Sequence, residues 1–228
     1  HTTGAILFST MFLRALGNSM TIGVMGTILA LLLGVPIAYL CARMVVPGMG
    51  ILRVLIILAM VSPPFIGAYA WILLFGRSGI VTQAGRAIGL DLPTIYGPGG
   101  IALVTALHTY PVVFMICYGA LRRVDRTLEE AAQNLGANAW VTFWRITLPA
   151  IRPGIVAGAL FGFVTSFGNL EMSLFLVGPG RTTPPIVILQ YLEWKIDPTI
   201  AAVSVVQILL IATVMLITDR YVKLARVV

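Results

Sequence analysis

Few side chains in this sequence combine a chemically active group with a position inside a long apolar run. Glu171 is the one carboxylate in such a run, and His108 lies in another, beside Tyr110 and Pro111. An ionisable group within a membrane-crossing segment marks a solute path by default. Glu171 either has that role or reaches outward to water. His108 is either a ligand or a hydrogen-bond donor to a neighbouring helix.

Catalytic and nucleotide-binding patterns are missing from the sequence. No G-x-x-x-x-G-K-[ST] loop occurs, so any ATP hydrolysis must come from a separate subunit. The two histidines, one of them His1, form no Ser/His/Asp arrangement. Cys41 and Cys117 both lie in apolar runs, which favours small buried side chains over a disulfide or a metal site. We therefore assign no catalytic residue, no metal ligand and no cofactor bound by this chain.

The composition determines the environment in which these groups act. Hydrophobic residues make up 59% of the 228 residues and charged residues only 10%, whereas a soluble domain carries about 25% charged residues. Most of the surface must therefore face lipid or other apolar helices. The net charge is +7, but the basic residues stand between apolar runs instead of forming the single basic face that binds nucleic acid.

Five apolar stretches are long enough to cross a membrane as helices. This pattern predicts an all-α, polytopic membrane helix bundle of about five transmembrane helices, forming a single domain over residues 1–228. The stretches run from about Asn18 to Ala42, between Arg53 and Arg77, from after Gly100 to before Arg122, from about Ile155 to Val177, and between Asp197 and Asp219.

Proline and glycine mark two special places within these stretches. Pro63 and Pro64 remove two backbone donors from the second, which predicts a bend that either lies beside a pathway or only helps packing. Gly154, Gly158 and Gly162 recur every four residues at the start of the fourth, so another helix should approach closely there.

The orientation follows from lysine and arginine in the loops. The loops after the first and third stretches, together with the C-terminus, hold twice as many as the opposite set. Cytoplasmic loops carry this excess. The long loop between the third and fourth stretches is therefore predicted to be cytoplasmic.

That polar loop, residues 122–153, predicts two short helices. Thr127 and Glu130 have capping-box spacing, so the first helix should start there, and Gly136 should end it in a left-handed conformation. Asn138 should cap a second helix that ends before Pro149. Four apolar residues form a stripe on the first helix and three aromatic residues anchor the second: Leu128, Ala131, Ala132 and Leu135, then Trp140, Phe143 and Trp144.

One pattern in this loop resembles a known family. Glu130-Ala131-Ala132, three residues, Gly136, nine residues, and Ile146-x-Leu148-Pro149 is similar to the EAA loop of binding-protein-dependent permeases of ATP-binding-cassette (ABC) importers. The resemblance implies that this loop is a cytoplasmic coupling helix contacting a separate ATPase. The residues expected to couple are Glu130, Ala131, Ala132, Gly136, Trp140, Ile146, Leu148 and Pro149.

The resemblance also implies partners and a location. A multi-pass permease of the bacterial inner membrane would work with ABC ATPase subunits that use ATP, a second permease domain and a periplasmic substrate-binding protein, surrounded by lipid. The chain is then either a separate subunit or one half of a longer fused permease. An ion-coupled secondary transporter and an intramembrane enzyme are the rival classes. A secondary transporter would need ion-binding carboxylates near the membrane midplane and internal repeats, but only Glu171 qualifies and the sequence shows no repeat. An enzyme would need a nucleophile–base set, which this sequence lacks.

The resemblance also suggests which solute the permease carries. Ser166-Phe167-Gly168-Asn169 and the stretch from Pro184 to Ala202 look most similar to polyamine permeases, with ferric iron and aminoethylphosphonate permeases as alternatives. Ser166, Asn169 and Glu171 are the expected path residues. On the outer side, Tyr191, Glu193 and Trp194 form either a gate or docking surface for the binding protein, or an aromatic interface anchor.

Overall fold

The fold was analysed in a computed structural model, which describes residues 10–44, 48–178, 183–194 and 198–222, with side chains at 13–44, 48–178, 183–189, 204–218 and 220. Its regular elements in these ranges are all helical. They are α1 (Thr10–Arg43), α2 (Met49–Val61), α3 (Pro64–Phe75), α4 (Ile80–Ala87), α5 (Pro98–Arg123), α6 (Arg126–Asn134), α7 (Ala139–Ala150), α8 (Arg152–Phe167), α9 (Leu170–Leu176), α10 (Pro184–Trp194) and α11 (Pro198–Val222).

The helices confirm a polytopic membrane bundle. Within the described ranges, three helical stretches are long and apolar enough to cross a membrane: Leu13–Arg43, Pro64–Ala87 and Pro98–Arg123. A fourth span results if α7 and α8, which meet at 70°, are taken together. The predicted fifth stretch corresponds to α11, of which 204–218 is a shorter apolar helix.

The predicted second stretch is divided at its two prolines. α2 ends at Val61, Ser62 has an extended backbone, and α3 begins with Pro64 as its first residue. Proline lacks the N–H that a continuing helix needs but fits the first turn of a new one. The sequence-based expectation of a break here is confirmed.

The predicted fourth stretch, Ile155 to Val177, is wrong as one continuous helix. α8 ends at Phe167, and Asn169 starts α9 by accepting a hydrogen bond from the Met172 N–H at 2.8 Å. An asparagine side chain competes with the backbone in this way because it supplies an acceptor two or three residues before the donor. Glu171 therefore lies in the first turn of a short helix.

α1, α5 and α8 pack into the core of the bundle. The stripe Gly154, Gly158 and Gly162 is buried along α8. A Cβ atom added to Gly154 would lie 2.5 Å from the Ala120 Cβ of α5. A larger residue would therefore force α8 away from α5, and the predicted close approach of helices is confirmed.

Candidate functional site

The two short helices of the predicted cytoplasmic loop follow directly on α5. Asp125 caps α6, because its Oδ1 accepts a hydrogen bond from the Thr127 N–H at 3.0 Å. The predicted capping box starting at Thr127 is therefore wrong, since the carboxylate two residues earlier reaches the free N–H first. The hydrogen bonds from Thr127 lower the pKa of Asp125. The charged cap therefore persists at neutral pH and is lost only as the pH falls through this lowered value.

The turn after α6 has the geometry that the sequence predicts. Gly136 has a φ of +91°, a left-handed conformation that glycine adopts without strain. Its N–H donates to the Gln133 carbonyl at 2.9 Å, and the Ala137 N–H donates to the Ala132 carbonyl at 3.0 Å. These bonds satisfy carbonyl groups that the end of a helix leaves free.

The second helix, α7, begins where the sequence predicts but ends later than predicted. Asn138 caps it by accepting a hydrogen bond from the Val141 N–H at 2.8 Å. The predicted end before Pro149 is wrong: the chain widens into a π-helical turn over Phe143–Thr147 and continues as Leu148–Ala150. Pro149 is tolerated because it lies in the first turn of that last segment, where its missing N–H is not required.

The two short helices expose different surfaces. On α6, Leu128 is 55% exposed and Leu135 is 90% exposed. Glu130 and Ala131 are also exposed, and Ala132 is half-buried. Leu128, Ala131 and Leu135 are three or four positions apart and therefore share one face of the helix, whereas Glu130 lies on the other side. Large exposed apolar side chains are typical of a protein–protein contact, and we call Leu128, Ala131 and Leu135 the α6 surface.

The aromatic residues of α7 face α1 instead. Trp140, Phe143 and Trp144 line an apolar groove of about 510 Å³ together with α1 residues from Leu31 to Met44. Phe143 packs edge-on against Tyr39 of α1, with ring centroids 4.8 Å apart. Of the remaining coupling candidates, Leu148 also lines this groove, whereas Ile146 is half-buried and Pro149 is exposed. Trp140 and Trp144 line this groove but remain 69% and 51% exposed, whereas Phe143 makes the ring contact with α1.

A buried ion pair fastens α6 and α7 to α1. Glu129 accepts from Arg43 Nε at 3.0 Å and from the Thr147 hydroxyl at 2.9 Å. Arg43 also donates to the Val124 carbonyl at 3.1 Å, and Arg126 donates to the Ala42 carbonyl. A buried charge persists only when it is paired and hydrogen-bonded. One carboxylate therefore joins three helices.

Sequence reasoning missed this cluster, which we call the Glu129 anchor: Arg43, Glu129 and Thr147. It singled out the neighbouring Glu130, which the structure leaves exposed. Successive residues of an α-helix point about 100° apart, so two adjacent glutamates must face different surroundings. Nothing local to the pair tells which of them is buried, because Arg43 lies 86 positions away.

The three predicted path residues have different surroundings. Ser166 is buried in α8, with a hydroxyl that has no hydrogen-bond partner among the described residues. Asn169 uses its side chain as the cap of α9, and Glu171 is exposed. Glu171 is, however, near enough to His108 of α5 to act on it electrostatically.

Two further hydroxyl groups in α5 resemble Ser166. Thr105 and Thr109 are one helical turn apart and almost fully buried, and their hydroxyls also lack a hydrogen-bond partner within the described ranges. Buried polar groups are usually satisfied, so these hydroxyls are candidates for contact with a solute. The outer candidates cannot be placed in this way: Tyr191, Glu193 and Trp194 belong to α10 by backbone, but their side chains lie outside the described part of the chain.

Comparison with known sequences gives one family and consistent relatives. The profile of the family described as "Binding-protein-dependent transport system inner membrane component" matches residues 30–226. The molybdenum transport system permease protein ModB of Mycobacterium tuberculosis is 32% identical over 194 residues, 83% of this chain and 72% of the relative. The ferric transport system permease protein FbpB of Actinobacillus pleuropneumoniae is 32% identical over 175 residues, 76% of this chain but 26% of the relative.

Solved structures show the same fold. A bacterial ABC transporter that imports the acidic polysaccharide alginate matches with a TM-score of 0.78 at 20% identity, covering 97% of this chain and 82% of that one. The MetNI methionine ABC transporter, in an inward-facing conformation, matches with a TM-score of 0.72 at 17% identity, covering 93% of this chain and 95% of the other.

Proposed function

Because the chain belongs to the family of binding-protein-dependent transport system inner membrane components, we propose that it docks a separate ATPase through its α6 surface and lines half of a solute path with α1, α5 and α8. The chain is a multi-pass permease of an ABC importer in the inner membrane, and it is not an enzyme. Coupling to the ATPase depends on how α6 is attached to the spanning helices. The choice of solute depends on the polar groups that those helices bury.

The Glu129 anchor is the observation that carries the coupling proposal. It joins α6, which has an exposed apolar face, to the end of the membrane-spanning α1. A docking helix can transmit a displacement only if it moves as one body with the helices that line the path. The buried ion pair and the Thr147 hydrogen bond supply that rigid connection, and the left-handed Gly136 ends α6 at the proposed contact.

The proposed cycle is alternating access. Two permease domains enclose the path, and two ATPase subunits that close on ATP push the two α6 surfaces toward each other. The path then opens outward to receive solute from a periplasmic binding protein. The second permease domain is either a separate subunit or part of the same polypeptide.

The α7 tryptophans have a different role in this proposal. Trp140 and Trp144 line the groove against α1, and tryptophan is favoured where apolar and polar surroundings meet at a membrane surface. We therefore assign the ATPase contact to α6 and the Gly136 turn. Trp140 supports α7 from the membrane side.

For the solute, a small oxyanion of the molybdate class is the first candidate. Relatives named for molybdenum transport align over most of their own length. Molybdenum in neutral water is the tetrahedral anion molybdate, which accepts hydrogen bonds from hydroxyl groups. The unpartnered hydroxyls of Thr105, Thr109 and Ser166 supply such donors.

Ferric iron is the second candidate, because relatives named for ferric transport are 32% identical over 76% of this chain. A polyamine has less support. The relatives reported above are named for molybdenum or ferric transport, not for polyamine transport.

Uptake measurements test both levels of the proposal. Cells lacking this chain, and cells complemented with it, would be supplied separately with labelled molybdate, ferric iron, aminoethylphosphonate and spermidine. We expect complementation to restore molybdate uptake. Restored uptake of another solute alone would overturn the molybdate assignment but not the transport class. Failure of an ATPase to co-purify with the chain, together with uptake driven by an ion gradient, would favour a secondary transporter.

A further inference from the structure

A polar cavity of about 760 Å³ lies where the C-terminal ends of α1 and α5 meet the start of α2. Four arginines line it: Arg43, Arg53, Arg122 and Arg126. Asp125 is the carboxylate on its described lining, and Glu129, behind it, is already paired with Arg43. Positive charge therefore exceeds negative charge around this cavity, which is separate from the hydroxyl groups of the proposed path.

The protein holds two of these guanidinium groups in place while leaving donors free. Arg53 donates to the Cys41 carbonyl at 3.3 Å, and its guanidinium lies over the Tyr118 ring, 5.1 Å from the centroid. Arg126 donates to the Ala42 carbonyl at 2.6 Å. Each guanidinium has five N–H groups, so one such bond leaves several unused.

One of the unused donors has an unusual position. The Nε atom of Arg53 is buried and has no hydrogen-bond partner in the described part of the chain. A buried N–H without an acceptor is unfavourable, and more so when it is charged. An oxyanion in the cavity would accept hydrogen bonds from the remaining N–H groups of Arg53 and Arg126, and Arg122, which is exposed on the same lining, would add a further positive charge.

We infer that this cavity binds the phosphate group of an anionic phospholipid in the cytoplasmic leaflet. Basic pockets between transmembrane helices on the cytoplasmic side suit such headgroups, and guanidinium groups bind phosphate with two parallel hydrogen bonds. A free phosphate would need only the arginines. The residues four and seven positions after Arg53 share its face of α2. They are apolar and exposed, with Ile57 at 47% and Met60 at 40%, which fits an acyl chain.

The inference depends on the orientation predicted from the loop charges, but not on the solute or on the ATPase contact. Its test uses the full transporter complex in phosphatidylcholine nanodiscs that contain spin-labelled phosphatidylglycerol or, separately, spin-labelled phosphatidylcholine. Electron paramagnetic resonance then measures the fraction of each labelled lipid that the protein immobilises. We expect the wild-type complex to immobilise phosphatidylglycerol preferentially.

Charge-removing variants locate the preference. Replacing Arg53 and Arg122 together (R53Q/R122Q) should reduce it by about five-fold for each arginine removed. The matched control is Arg145→Gln, which removes an exposed arginine of α7 outside the cavity lining and should leave the preference unchanged. If the double variant does not assemble, the exposed Arg122→Gln decides alone, with an expected loss of about five-fold.

Two results would overturn the inference. The first is an undiminished preference for phosphatidylglycerol in the arginine variants, since the cavity would then not be its source. The second is equal immobilisation of labelled phosphatidylglycerol and phosphatidylcholine by the wild-type complex in chloride. If inorganic phosphate nevertheless protects the arginines from a guanidinium-modifying reagent, the site would belong to a free phosphate instead of a lipid headgroup.

Discussion

Arg43 and Glu129, which are 86 positions apart in the sequence, form an ion pair with an Nε–Oε2 distance of 3.0 Å, and both side chains are almost fully buried. Arg43 is the last residue of the spanning helix α1, and Glu129 is in the first turn of the short helix α6. The contact therefore connects the membrane-spanning part of the permease to the element that we propose docks the ATPase.

Glu129→Gln should weaken this connection. Removing one partner of a buried pair leaves the other charge uncompensated, which costs about 3–5 kcal/mol. We expect a lower melting temperature, reduced uptake, and ATPase activity that no longer responds to solute. Glu130→Gln changes the exposed neighbour and should leave the melting temperature unaltered. An equal effect of both changes on stability would contradict the role of the Glu129 anchor.

Replacing both residues of the ion pair should restore the stability that Glu129→Gln loses. In Arg43→Met with Glu129→Leu, neither charge remains buried, and apolar side chains of similar size often restore the stability of such a site. The melting temperature should recover most of the loss seen in Glu129→Gln. If the melting temperature of the double variant is lower than that of Glu129→Gln, the ion pair itself stabilises the protein, beyond avoiding an unpaired buried charge.

Gly136→Val should abolish transport while the protein remains in the membrane. A Cβ atom at this position would have no atom within 4 Å, so space is not the constraint. The constraint is the backbone φ of +91°, because a β-branched residue in such a conformation costs about 1–3 kcal/mol. Gly136→Asn is the matched control, since asparagine tolerates this region. Wild-type uptake by the valine variant would rule out a coupling role for the turn.

Cysteine labelling checks the orientation. In a background with Cys41 and Cys117 replaced by serine, a cysteine at Asn134 should react with an impermeant thiol reagent only from the cytoplasmic side. Thr183 is only 2% exposed and would label poorly from either side, so Ile88, at 79%, is the better outer position. It should label only from the periplasm, and the reverse pattern would invert the topology and remove the ATPase from α6.

Ser166→Ala tests the proposed path. If the buried hydroxyl donates to an anionic solute, its loss should lower uptake about ten-fold, because a hydrogen bond to a charged group contributes about 1.5–3 kcal/mol. Ser173→Ala in α9 removes another buried hydroxyl and should have little effect. Uptake and membrane protein levels would be measured together, and equal uptake by both variants would remove Ser166 from the path.

Glu171→Gln distinguishes the two candidate solutes. The change preserves size and hydrogen bonding but removes the charge that acts on His108. Uptake of ferric iron through a path lined by this carboxylate should fall strongly. Uptake of an oxyanion such as molybdate should stay the same or rise. A strong loss of molybdate uptake at matched protein levels would contradict the anion proposal.

The sequence alone determined the environment, the class of fold and the main features of the polar loop after α5. Hydropathy over about 20 residues identifies spanning helices because the bilayer thickness fixes their length. Pro63 and Pro64, Gly136 and Asn138 act on backbone groups within a few residues of themselves. Their effects could therefore be predicted without knowledge of any distant contact.

Only the tertiary structure decided which side chains face one another. The burial of Glu129 rather than Glu130, and the packing of Phe143 of α7 against Tyr39 of α1, depend on how far each helix is rotated about its axis. That rotation is set by contacts between residues far apart in the chain, such as Arg43 with Glu129. A local pattern specifies that a helix forms, whereas the packing of its neighbours decides which of its faces is buried.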